Sequence, residues 1–214
     1  MSAAQVPRKR DRFRYARGVW VRRAAIRPVP DFAKVPALVL ERLEEELSDA
    51  LGDGEVTPTI LDDALERFEE QQPILSDHIS ELVAKQKREP ALGFGYFLMI
   101  AVYLAFERAF PGAIDPIETV SIKSAEEALM LDEEIRMADP AEVVESDDVI
   151  AMEQPHLLKY VQEHLDAALE AHANDIDVDD VHAIYRAVLV EILSLSYAVR
   201  APRTNTDDSN EFSA

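Results

Sequence analysis

The sequence predicts an all-α protein: a helical bundle or stacked helical hairpins of about eight helices, with two related three-helix units as a further expectation. Three observations carry this. Glycine is scarce, 6 residues against 12 prolines in 214, while the good helix formers Ala, Leu and Glu are abundant. Apolar residues recur at three- and four-residue spacing along most of the chain, and no convincing alternating strand follows residue 30. Seven prolines stand just ahead of such runs, where the missing N–H would have no intrahelical partner in any case.

Taken in order, Pro36 opens a run with Leu40, Leu43, Leu47 and Leu51 that closes at Gly52. Thr57 and Pro58 read as cap and first residue ahead of Ile60, Leu61, Ala64, Leu65 and Phe68. Pro73 leads Leu75, Ile79, Leu82 and Val83, and Pro90 leads the most apolar run of the chain, ending near Pro111 and Gly112. Ser124 and Glu127 have capping-box spacing ahead of Ala128, Leu129, Leu131 and Ile135, and Asp139, Pro140 and Glu142 suggest another start. Pro155 leads Leu157, Leu158, Val161, Leu165 and Leu169, and Asp177 caps a run through Val181, Ile184, Val188, Ile192 and Leu195. The polar tail, 201–214, is expected to be disordered.

The run ALGFGYFLMIAVYLAF, 91–106, holds no charge. As a helix it would be about 24 Å long, short of the ~30 Å hydrocarbon core of a bilayer, so it reads as a central core helix and no transmembrane segment is expected. Gly93 and Gly95 would permit close helix approach or a frayed first turn.

A glutamine-proline step is written twice. Placing Pro73 on Pro155 aligns Gln72 with Gln154, Leu75 with Leu157, Ile79 with Val161 and Glu81 with Glu163 without a gap, and a long apolar run follows each. One reading is an internal repeat over 57–110 and 141–199, whose stacked units would create a groove or extended surface. The other is that proline-started amphipathic helices resemble one another.

Charge divides the chain. The net charge is -20, yet residues 1–27 carry nine Lys or Arg against the single Asp11, leaving the rest at -28. We read 1–30 as a basic aromatic arm, 31–200 as the helical domain. Within the arm Arg10, Arg12, Phe13, Arg14, Tyr15, Arg17, Trp20, Arg22 and Arg23 mix cations with rings, a composition able to neutralise phosphates, stack on bases, or lie on the acidic body of its own chain or of a second copy. Arginines interrupt the short apolar stretch in the arm, which excludes a secretory signal, and its poverty in serine argues against a transit peptide. With no cysteine, disulfides, thiolate metal sites and cysteine nucleophiles are excluded.

Further candidates are weaker. His156, Tyr160, His164, Ala168 and His172 form a ribbon beside an apolar stripe, but histidines eight apart are nearly 12 Å apart along a helix and cannot share one ion. The acids of NDIDVDDVH, from Asp175, lack the Gly and Glu a calcium loop needs at its sixth and twelfth positions, and serve as caps. No phosphate loop or nucleophile elbow is present. The expectation is a non-catalytic, cytoplasmic helical protein for protein–protein interaction or regulation, with a protein partner or self-association, no cofactor and no metal. The alternatives are a metal-dependent enzyme gathering Glu163, His164, Asp179 and His182 in a helical bundle, and a nucleic-acid-associated accessory protein that uses the arm.

Overall fold

Proline governs where the helices start. In the computed structural model, which describes residues 26–52, 58–138, 150, 153–172 and 178–202, seven α-helices follow one another: α1 (Ala37–Gly52), α2 (Pro58–Gln71), α3 (Pro73–Val83), α4 (Glu89–Ala109), α5 (Thr119–Ala138), α6 (Pro155–Ala171) and α7 (Val178–Ala198). A 3-10 turn over Asp31–Ala33 precedes them. The fold is all-α, and the described residues hold no strand beyond an isolated bridge between Ile114 and Val199. The starts expected at Asp139 and the cap expected at Asp177 fall outside the described residues, as does most of the tail.

One start is corrected. The capping box at Ser124 does not open a helix, because α5 begins at Thr119 and Ser124 lies in its interior. Ile122, Ala125 and Leu129 form one buried stripe, and that burial carries the helix upstream past the local signal, which is worth only ~1 kcal/mol.

The two most apolar helices make the centre. α4 packs on α7, with α1, α2, α3 and α6 also against α4 and α3 and α5 also against α7. From Leu98 to Phe106 every residue of α4 is buried. α4 has 21 residues, more than the uncharged run suggested, because Glu89, Glu107 and Arg108 belong to it. By length and composition α4 and the stretch Asp179–Ala198 could each cross a membrane, yet 61% of each apolar window is buried inside the protein, as core helices are.

Gly95 explains part of that closeness: a Cβ there would stand 2.7 Å from a Val83 methyl and 3.3 Å from an Ile184 carbon, so α3, α4 and α7 meet where α4 has no side chain. Gly93 has nothing within 4 Å. The rim of α4 is tied by ion pairs. Arg67 holds Glu107 at 2.7 and 3.0 Å, and Arg108 pairs with Glu46 of α1, keeping that carboxyl below the usual range. At the N-terminal side Ile26 and Val29, the last apolar residues of the stretch read as arm, are buried in the core.

Candidate functional site

The two Gln-Pro steps have one geometry. A residue before proline is pushed out of the α region, and Gln72 (φ -135°, ψ 54°) and Gln154 (φ -132°, ψ 64°) leave it by the same route. Each backbone N–H still bonds four residues back, Gln72 to Phe68 O at 2.8 Å and Gln154 to Ile150 O at 2.6 Å. Each carbonyl then accepts from the new helix, from Ser76 N–H and Leu158 N–H. At Gln72 α2 ends, the chain bends and α3 starts at the proline, and after Gln154 α6 starts at its proline in the same way.

Their side chains also do the same thing. Gln154 Nε2 donates to Ala33 O at 2.8 Å while its Oε1 accepts from Val35 N–H at 3.0 Å. Gln72 Nε2 donates to Asp115 O at 3.1 Å while its Oε1 accepts from Ile117 N–H at 2.8 Å. Each buried amide thus grips a three-residue stretch by the carbonyl of its first residue and the N–H of its last, replacing the water those groups would otherwise need. Each grip reaches across the chain: Gln72 holds the segment leading into α5, and Gln154 the segment leading into α1.

Adding 82 to the residue number carries Gln72 to Gln154, Ala33 to Asp115 and Val35 to Ile117. It also carries Leu40, Leu43 and Leu47 of α1 to Ile122, Ala125 and Leu129 of α5, all buried, and Leu75 and Ile79 to Leu157 and Val161, all fully buried. Because Gln154 anchors the start of α1 at the start of α6, those helices run side by side in the same direction, with Glu44 reaching His164 at 3.3 Å. α5 lies along α3 likewise, with Glu126 reaching His78 at 3.0 Å.

Between α1 and α6 lies a groove of about 420 Å³. Leu40, Ala37 and Ala167 supply apolar lining, and Glu41, Glu44, Lys159, Glu163, His156 and His164 supply charge and polarity. His164 is fixed on three sides: its Nδ1 lies 2.9 Å from Tyr160 O, its Nε2 faces Glu44, and its ring packs on Phe97 and on Tyr160 at centroid distances of 5.4 and 4.2 Å. Tyr160 is the unusual member. It is only 7% exposed, and its hydroxyl has no partner in hydrogen-bonding geometry. Burial first, and the nearby Glu44 carboxylate second, push its pKa above the ordinary value. A buried hydroxyl without a partner is a destabilising arrangement.

A second polar oddity lies deeper. Glu191 of α7 is fully buried, both carboxylate oxygens lack a hydrogen-bond partner, and desolvation raises its pKa well above the ordinary 4.5. Ser194, one turn on, has an unpartnered hydroxyl as well.

The sequence-predicted residues fare unevenly. The histidine ribbon of α6 is not merely a solvated flank: His156, Tyr160 and His164 line the groove, while His172 is exposed at the end of the helix. Glu163 and His164 lie on the groove, but His182 lines a different cleft, with Asp166 and Tyr185, between α6 and α7. Among the described residues no three His, Asp or Glu stand together in a way that could hold a metal. The arm residues Arg10, Arg12, Phe13, Arg14, Tyr15, Arg17, Trp20, Arg22 and Arg23 lie outside the described residues. Glu41 and Glu44 escaped notice in the sequence; their signal was acids at the edge of the Leu40, Leu43, Leu47 stripe. Compared with known families, curated proteins and solved structures, the chain matches none.

Proposed function

We propose that the chain is a non-catalytic, cytoplasmic interaction protein built from two copies of one helical unit, and that the groove between α1 and α6 is its binding face. The carboxylates of Glu41, Glu44 and Glu163 beside the apolar lining of Ala37, Leu40 and Ala167, on two fixed helices, carry the reading. Such a surface offers an apolar floor and acceptors at the rim, which is how a specific polar contact is built into a binding site. Two copies of the unit supply the rigid frame: Gln154 pins α1 against α6 at the groove, and Gln72 pins α5 against α3 on the other face. The matched backbone angles, the matched amide grips and the matched buried stripes support the duplication, which spans an extended lead-in and α1 as well as the helices around the Gln-Pro step.

The experiment is capture from lysate with full-length bait, with nuclease treatment to separate a protein partner from a nucleic-acid role of the arm, followed by rebinding of the identified partner in purified form. Glu41→Lys with Glu44→Lys should abolish rebinding, and the corresponding changes on α5, Lys123→Glu with Glu126→Lys, should leave it intact. A partner indifferent to the α1 changes would contradict the groove as the binding face.

A further inference from the structure

The groove is acidic at its rim, and the same chain carries a strongly basic segment. We propose that the N-terminal arm of this chain is an occupant of the α1/α6 groove, setting arginines from the stretch Arg8–Arg23 on Glu41, Glu44 and Glu163, so that the arm and any partner compete. This rests on the reading of the groove as the binding face.

Position and charge both point there. The chain after the arm is tied to the N-terminal end of α6: Val29 N–H donates to Glu153 Oε2 at 2.7 Å, and Val35 is held by Gln154. Ala37 and His156, immediately beyond those ties, both line the groove, so the arm leaves the body close to the groove mouth. Twenty-five extended residues reach up to about 80 Å, whereas the groove from His156 to Ala167 is about 17 Å long. The arm and the start of the chain to Arg27 carry nine basic residues against Asp11, facing a body of net charge -28. Guanidinium groups pair with carboxylates in two parallel hydrogen bonds and stack on rings, and the groove presents carboxylates beside Tyr160 and His164.

The corresponding face between α3 and α5 is a poorer host. Glu126 holds His78 at 3.0 Å there, much as Glu44 holds His164 at 3.3 Å. The difference is Glu41, which is replaced there by Lys123, a cation that would repel the arm.

Trp20, in the arm, is the single tryptophan of the chain, so its fluorescence reads the arm in the full-length protein. Emission maximum and acrylamide quenching are measured at low and high salt in the native chain, in the Glu41→Gln/Glu44→Gln/Glu163→Gln variant, in Tyr160→Phe, and in a Glu81→Gln/Glu126→Gln control on the other face, with circular dichroism showing that each is folded. We expect a protected, blue-shifted Trp20 in the native chain, in Tyr160→Phe and in the control, and several-fold stronger quenching in the triple variant and at high salt. Equal quenching in native and triple-variant protein overturns the proposal. So does protection that grows with protein concentration, which would place the arm on a second copy. Partner rebinding on the same variants separates the two claims: unchanged Trp20 with lost rebinding strikes the arm alone, and exposed Trp20 with intact rebinding strikes the groove as the partner's site.

Discussion

Glu44 with Tyr160 and Glu126 with His78 hold corresponding places on two faces of the protein, and only one of the pairs is closed. On the α3/α5 face His78 Nε2 and Glu126 Oε1 stand 3.0 Å apart. On the α1/α6 face Tyr160 replaces the histidine, its hydroxyl is left without a partner, and Glu44 turns to His164 instead. The same frame therefore satisfies its own polarity on one side and leaves it unmet on the other. Unmet polarity lowers stability, and the face proposed for binding is the one that keeps it. The centre holds an unmet group as well, Glu191 of α7, fully buried with both carboxylate oxygens unpartnered.

The comparison breaks most visibly at its apolar anchors. Leu75→Ala and Leu157→Ala should each lower stability by about 2–5 kcal/mol, because both leucines are fully buried and each change leaves a cavity. Chemical denaturation measures both, and one critical leucine beside one indifferent leucine would end the correspondence. Gln72→Ala and Gln154→Ala come next, at about 1–3 kcal/mol for each backbone group left unpaired in the interior. The larger loss should fall on Gln154, whose Nε2 also donates to Ser196 Oγ at 2.9 Å.

Glu191 extends unmet polarity to the centre. Its folded pKa is raised above the ordinary 4.5 by burial. Below that value both folded and unfolded chains hold the proton. As pH rises past it the unfolded chain releases the proton first, so stability falls until the folded pKa is passed. Glu191→Gln should remove this decline, raising the melting temperature at neutral pH while changing it little in acid; parallel melting curves across pH for the two proteins would refute the assignment. The smallest effect belongs to Tyr160→Phe. It discards a hydroxyl that bonds nothing and should shift stability by less than about 1 kcal/mol, whereas His78→Phe strands Glu126 and should cost more; equal losses by denaturation would mean that Tyr160 is already satisfied.

Much of the frame was legible in the sequence because proline acts locally. The starts of α3 and α6 follow from a ring that forbids the preceding residue an α conformation, and the leucines that repeat behind each ring mark the buried face. What the glutamines do was not legible, since Gln72 and Gln154 bond residues 43 to 121 positions away, and no local pattern announces an amide that grips a distant backbone. The start of α5 misled for the opposite reason, a local capping signal at Ser124 overridden by burial of Ile122 and Ala125. Tyr160 read as part of a polar ribbon, because periodicity on α6 cannot reveal that α1 lies over it. Glu191 sat in an apolar run as a single acid, and only its complete burial without a partner sets it apart.

Hydrogen exchange at Ile117 and Val35 tests the equivalence of the two halves most directly, because those two amide N–H groups are the ones the glutamines accept. Both should exchange slowly in the native protein, Gln72→Ala should release Ile117 while Val35 stays protected, and Gln154→Ala should do the reverse. Fast exchange at either amide in the native chain, or protection that survives loss of its glutamine, would contradict two matched units clamped across one another.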